Sequence, residues 1–335
     1  MKKNLCFCLV SLIIFLSGCR KPVSQVIVYV SHDQIYSEPI LKEFEKSTGI
    51  KVKAVYDLEA TKTTGIVNRL IAEKDYPRCD VFWNNEIVRT ILLKDKGLLS
   101  PYKSPNAQEI PEKFKDRDGY WTGFAARARI IIYNKNLLSE KEIPKSIYDL
   151  LDPHFKGKIA IANPLFGTTS THSAALFSYL GEEKAKEFFQ KLKENGVLIV
   201  HGNSIVKDAV ANGEALLGIT DTDDANVALQ AGKAVGIVYP DQEGLGTLII
   251  PNTLSLIKKA PHPEEAKKLI DYLLKPEVEE KLANSQAVQI PLNPKAKKPP
   301  HILNIQTIKT MEINFEDVAR KIEKVSQYLQ ETFIK

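Results

Sequence analysis

The stretch VIVYVSHDQIYSEPILKEFEKSTGIKVKAVY, residues 26–56, decides the fold. It opens on Val26 to Val30, a run of β-branched and aromatic residues with no polar break, the pattern of a strand buried on both faces. The period then changes. Ile40, Leu41 and Phe44 recur at helical spacing between Tyr36 and Ser47, and Thr48-Gly49 supplies the stop. Lys51 to Tyr56 returns to strand. Thr64 to Lys74 repeats the helical pattern with Ile66, Val67, Leu70 and Ile71 on one face. Cys79 to Trp83 reads as a third strand, and Ile87 to Lys96 as a helix closed by Gly97. Strands alternating with helices predict an α/β fold, a parallel sheet carrying helices on its faces.

The same grammar resumes further on. Strands are expected at Arg129–Tyr133, Lys158–Ala162, Val197–Val200 and Ala215–Ile219. Helices are expected at Ile147–Leu151, Thr171–Leu180, Glu182–Glu194, Ser204–Ala211 and Asp224–Ala231. Gly246–Pro251 and Thr253–Ile257 run extended, and Pro263–Leu274 and Pro276–Asn284 are helical. Asn314–Phe333 sets Val318, Ile322, Val325 and Leu329 on one helical face. Two α/β units joined by extended segments near 122–133 and 246–257 predict two lobes with crossing connections able to act as a hinge. Each lobe is a mixed, mostly parallel sheet flanked by helices, with a cleft between them. Residues 26–126 with 257–335 form lobe 1, and 127–256 form lobe 2.

Composition agrees. A chain of 335 residues is long enough for about two domains at roughly 150 residues each. At 44% hydrophobic and 26% charged it is not a disordered chain, and 17 glycines without a period exclude collagen. The 46 basic residues sit among 41 acidic ones, a mixed surface rather than a nucleic-acid footprint.

The N-terminus sets the address. Lys2 and Lys3 precede Leu5 to Leu16, apolar apart from Ser11, and Leu16-Ser17-Gly18-Cys19 follows. The run is too short to span a bilayer comfortably and has the layout of a secretory signal. Its ending resembles a bacterial lipobox. The resemblance implies removal of residues 1–18, lipidation of Cys19 and a tether over 19–25 at the cell envelope. Cys6 and Cys8 leave with the signal, so Cys79 is the only free thiol of the mature chain. Its strand-like setting predicts a buried small residue rather than a reactive nucleophile.

Fragments spread along the chain carry a wider resemblance: FEKSTGIKV (44–52), CDVF (79–82), ARIIIY (128–133), ANGE (211–214), PEEAKK (263–268) and PLNP (291–294). In order and spacing they resemble the solute-binding proteins of bacterial ABC importers, in particular the ferric-iron-binding branch of the two-lobed, two-hinge class. The resemblance implies a monomer that captures a small solute outside the membrane and passes it intact to a permease and ATPase. It implies no cofactor, with Fe³⁺ and an accompanying anion as cargo. Membrane contact is through lipid, and nucleic acid has no part. G-x-S-x-G, H-E-x-x-H, C-x-x-C and the P-loop pattern are absent, which weighs against a secreted hydrolase. A purely structural surface lipoprotein is the other competing class.

Candidate ligand groups sit where strands end, since open α/β sheets bind ligands beyond the carboxyl ends of their strands. His32 follows the first strand and Glu86 the third, and the resemblance makes both metal ligands; the competing readings are a loop histidine and a first-turn glutamate favoured by the helix dipole. Arg127 and Arg129, two apart on a strand, share one face, and a guanidinium fork suits an oxyanion or carboxylate. Gly167, Thr168, Thr169 and Ser170 lead into a helix whose N-terminus suits an anion, although Ser170 or Thr171 could simply cap it; His172 could add a donor. Asn203 stands where the resembled proteins hold the anion.

Asp221 and Asp223 follow the Ala215–Ile219 strand, Asp223 as a further metal ligand. Here the sequence departs from the ferric-binding pattern, which has two adjacent tyrosines where Thr222 and Asp223 stand. A metal–anion complex would use His32, Glu86 and Asp223 with the anion on Gly167–Thr171 and Arg127. An organic phosphate or phosphonate would use the anion groups alone. An aminophosphonate would add Asp221 or Asp223 for its amine.

Overall fold

The computed structural model describes residues 24–57 and 63–334; the signal, Cys19 and most of the tether lie outside them. The first half runs β1 (Gln25–Val30), α1 (Gln34–Thr48), β2 (Lys51–Tyr56), α2 (Thr64–Ala72), β3 (Val81–Asn84), α3 (Val88–Asp95) and a short β4 (Leu99–Ser100). A long strand, β5 (Thr122–Asn134), leads into β6 (Ile159–Ala162), α4 (Gly167–Leu180), α5 (Glu182–Glu194), β7 (Leu198–Val200) and α6 (Asn203–Ala211). Then come β8 (Leu217–Asp221), α7 (Thr222–Gln230), β9 (Val235–Val238), β10 (Ile249–Ile257), α8 (Pro263–Leu273), α9 (Pro276–Asn284) and α10 (Phe315–Phe333).

The strands form one ladder in the order β2-β1-β3-β10-β5-β8-β6-β7, with β4 on β10 and β9 on β5. β1 pairs parallel with β2 and β3, and β6 pairs parallel with β7 and β8. Between these two parallel halves lie β5 and β10, antiparallel to each other and long enough to serve both. The alternation of strand and helix fixes each parallel half. The antiparallel pair joins them into two lobes.

β5 begins well before the run at Arg129–Tyr133. Of its first residues, Thr-Gly-Phe-Ala-Ala over 122–126, the glycine and the two alanines have little strand preference; Thr122 to Phe124 pair with β10, and Ala126 bridges to Ile290. β10 is one strand where two extended segments were expected. Pro251 sits at a register shift between Ile250 and Asn252, and such a bulge is where a strand tolerates proline. Opposite it, Ala125 takes φ +43, a left-handed conformation that costs a non-glycine residue about 1–2 kcal/mol. The carboxylate of buried Glu279 accepts the Ala125 N–H at 2.5 Å, Leu292 N–H at 3.0 Å and Asn293 N–H at 2.7 Å.

The C-terminal helix, expected within lobe 1 as part of 257–335, packs against elements from both halves of the chain. Asn314 caps α10, accepting from Glu316 and Asp317 N–H. Val318, Ile322, Val325 and Leu329 then bury in one cluster with Ile87 and Ile91 of the first lobe and Phe177 and Phe189 of the second. The helix packs on α3, α4 and α5, so its amphipathic stripe braces both lobes.

Candidate functional site

A cleft of about 240 Å³ opens where the carboxyl ends of the parallel strands of both lobes meet. The loop after β1 brings His32 and Asp33, and that after β3 brings Asn85. Arg127 comes from β5. The second lobe supplies Phe166 to Thr169, His201 to Ser204, and Asp221, Asp223 and Asp224.

Three helices begin on this cleft. α4 starts at Gly167, four residues earlier than the sequence pattern indicated, and Gly167 takes φ +52 as the chain turns into the helix. Neither Phe166 before α4 nor Gly202 before α6 makes a side-chain cap, and neither helix has an acidic residue in its first turn. The first N–H groups of a helix have no partner within it, so two positive helix ends face the cleft. α7 differs: Asp223 and Asp224 occupy its first turn, and Asp223 accepts the Asp224 N–H at 3.1 Å. One carboxylate oxygen from each of Asp221, Asp223 and Asp224 lies within 4.8 Å of the others. The cleft therefore has an electropositive wall and an acidic one.

Beneath the floor, fully buried Arg129 ties these parts together. It donates to Asp221 at 2.8 Å, Asn203 Oδ1 at 3.1 Å, Thr168 Oγ1 at 3.2 Å and Thr169 Oγ1 at 3.3 Å. Thr168 donates to Asp221 at 2.6 Å and Asn203 Nδ2 to Asp221 at 3.0 Å. Arg129 and Asp221 are directly paired residues of β5 and β8, which makes the salt bridge a cross-strand contact. Arg129, expected as a ligand contact, thus stands behind the cleft and is not among the residues lining it. The hydroxyls of Thr168 and Thr169 turn inward to the same network, leaving the backbone of α4 to the ligand.

Arg127 does line the cleft. It donates to Asn85 O at 2.8 Å and to Asn252 Oδ1 at 3.3 Å, and its Nε lies 3.2 Å from Asp223. Burial, countered by Arg127 and reinforced by Asp221 and Asp33, pushes Asp223 up to about 6. His32 stacks on Trp83 at 5.6 Å and Tyr36 at 6.0 Å; Trp83 itself is buried core.

Two further expected residues fall outside the cleft lining. Glu86 is fully buried. Its oxygens accept from Val88 N–H at 2.6 Å, Arg89 N–H at 2.9 Å and Thr171 Oγ1 at 2.8 Å. It closes the start of α3 and joins that helix to α4, and it is not among the residues that line the cleft, where the ligand and metal roles were expected of it. Ser170 is also buried, its hydroxyl accepting from Arg89 at 3.4 Å. Since α4 has already begun, neither Ser170 nor Thr171 caps it. Sequence reasoning missed Asp33, Asn85, His201 and Ser204. Their signal was position alone, each within a few residues of a strand's carboxyl end.

His172 points into the protein. Burial and the Arg129 charge push its imidazole down to about 3. The native state therefore holds it neutral, and its contribution to stability is complete above pH 6.5 and is lost as pH falls from 6.5 toward 3. The slope is about 1.4 kcal/mol per pH unit in that window. His172→Gln should flatten the urea midpoint against pH there; an unchanged slope would assign the acid sensitivity to other groups. Cys79 is buried, donates to Val81 O at 3.1 Å and has its thiol pushed well up by burial.

A hinged pair of α/β lobes around a small polar cleft is the architecture of a solute receptor. Residues 91–315 match the family of bacterial extracellular solute-binding proteins, and the chain belongs to that family. It is 28% identical over 262 residues to Iron uptake protein A1 of Synechocystis, covering 75% of this chain and 71% of that one. It is 25% identical over 330 residues to the major ferric iron-binding protein of Neisseria meningitidis serogroup A, covering 96% of each. The solved ferric binding protein from Campylobacter jejuni superposes with a TM-score of 0.83 at 26% identity, over 92% of this chain and 99% of that one. No helix among the described residues is long and apolar enough to cross a membrane.

Proposed function

We propose that this chain is the extracytoplasmic solute-binding component of an ABC importer, and that its cargo is ferric iron held with an oxyanion. The observation that carries the reading is the two-signed cleft. The uncapped starts of α4 and α6 supply N–H groups and positive dipole ends for an anion. Asp221, Asp223 and Asp224 gather carboxylate oxygens, the donors a hard trivalent cation takes. His32 stands on the opposite lobe of the same cleft. The ferric iron-binding relatives support the choice of cargo. Lobe 1 spans 26–126 and 257–313, lobe 2 spans 127–256, and α10 braces the two. The lobes close because the solute touches both, and only interactions stronger in the closed form shift that balance. The cargo leaves unchanged, so the role includes no catalytic step. The chain works as a monomer beside its permease and ATPase, held by lipid on Cys19.

One observation favours a second cargo. Thr222 and Asp223 replace the tyrosine pair of the ferric-binding pattern, and Arg127 already engages Asp223. An aminophosphonate would put its oxyanion on α4 and α6 and its ammonium among the carboxylates. Native mass spectrometry with metal analysis of freshly purified protein separates the two: iron with an anion is expected, and an organic phosphonate without metal would replace it. Joint Asp223→Asn and Asp224→Asn should weaken ferric binding by roughly 10- to 150-fold, equivalent to the ~1.5–3 kcal/mol typical of a bond to a charged group. Unchanged calorimetric affinity would remove the carboxylates from the site.

A further inference from the structure

The pole of lobe 1 opposite the cleft carries a groove that the solute reading leaves unused. It is lined by Lys74, Arg78, Lys96, Lys258 and Lys259, with Glu73 and Asp75 as its acids. Glu73 is already held by Arg69 at 2.9 Å and by Tyr29 at 2.9 Å. Lys74, Arg78, Lys258 and Lys259 are exposed and form no ion pair among the described residues; Lys96 has Glu323 at 3.7 Å. Beside them Tyr76 is 86% exposed, the most exposed large hydrophobic residue of those described. Basic side chains around an aromatic ring that carries a polar tip are the combination that favours a membrane interface.

Its position relative to the chain's start gives the groove a partner. β1 and β3 pair in parallel with Val28 opposite Val81, and β10 runs antiparallel with Leu256 opposite Val81. Gln25 Nε2 lies 3.1 Å from His262 Nε2, and the His262 N–H donates to buried Asp80, two residues beyond Arg78. The strands are about 5 Å apart, so the basic groove lies beside the residue where the described chain begins. Four residues lie between Cys19 and Ser24, a span that reaches at most about 18 Å, and Arg20 and Lys21 within it add positive charge.

We propose that this pole, Lys74, Tyr76, Arg78, Lys258 and Lys259, docks on an anionic bilayer surface, so that the anchored receptor stands on lobe 1 with its cleft held away from the headgroups. The inference rests on the Cys19 anchor. Lipid tethering keeps the pole within reach, and the basic side chains choose the posture. Attraction of this kind falls off within a Debye length and is screened by salt.

The test uses the full chain, made with its own leader, extracted in detergent and placed on phosphatidylcholine vesicles with or without about one-third phosphatidylglycerol. Amine-reactive labelling read by mass spectrometry should fall roughly threefold or more at Lys74, Lys258 and Lys259 on the anionic vesicles. Lys141 and Lys156 of lobe 2 should label equally on both, and high salt should abolish the difference. Reversing charge at Lys74→Glu, Lys258→Glu and Lys259→Glu should abolish the salt-sensitive protection of Lys96 and leave solute binding in detergent unchanged. A chain that sediments with both vesicles and labels equally overturns the posture alone. A chain that stays in solution with neutral vesicles overturns the anchor, and the posture with it.

Discussion

Arg129→Met should destabilise the protein by about 3–5 kcal/mol, the range for breaking a buried ion pair by removing one partner. The lost guanidinium holds four acceptors: Asp221, Asn203, Thr168 and Thr169. Of these Asp221 decides the magnitude. It is only 3% exposed, and without Arg129 it keeps one hydroxyl and one amide as donors, which do not neutralise a buried carboxylate. Adding Asp221→Leu should recover most of the stability, because neither charge is then left unpaired. Solute binding should not recover, since the same network sets the first turns of α4 and α6 against each other. Urea midpoints and titration calorimetry on the two variants separate the effects. A single variant within about 1 kcal/mol of the parent would mean that the floor of the cleft rearranges around Asp221.

This network marks the limit of what the sequence reveals. The parallel halves were legible because Val26–Val30 and Ile40–Phe44 carry unmistakable periods, and Gly49 and Gly97 stop α1 and α3 with φ +71. The crossing strands were legible only in part. Ala125 and Ala126 have little strand preference, and long-range partners impose their conformation, Glu279 on Ala125 and a bridge to Ile290 on Ala126. At the site, strand ends pointed to the loops of His32, Gly167, Asn203 and Asp221, all of which line the cleft. They could not say which side chains turn outward. Arg127 and Arg129 share a face of β5, yet one meets the cleft and the other lies beneath it. Glu86 has the residue type and position of a ligand, but the unsatisfied N–H groups at the start of α3 claim its oxygens first. That choice depends on local geometry, and no pattern of residue types records it.

Glu279→Ala is expected to have an effect of similar size by another route. Three backbone N–H groups lose their acceptor together: Ala125, Leu292 and Asn293. Each orphaned buried group costs about 1–3 kcal/mol, and relaxation shared among them places the expected loss at about 3–5 kcal/mol. Glu279→Gln should lose less, because its amide keeps one acceptor oxygen. The position of the loss matters more than its size. Ala125 lies at the bulge of β5, between its two stretches paired with β10 (122–124 and 127–128) and ahead of the part paired with β8 and β9, and its φ of +43 needs a fixed partner to persist. Removing that partner should free the strand to relax, and the lobes should then sample more open angles. Apparent solute affinity falls in proportion to the closed-competent fraction. Solution scattering of the solute-free variant should therefore show a larger radius of gyration than the parent, while Ala125→Gly, which tolerates the same φ, keeps the parent's. Equal scattering profiles for Glu279→Ala and the parent, with stability within about 0.5 kcal/mol, would place the pivot elsewhere in the crossing strands.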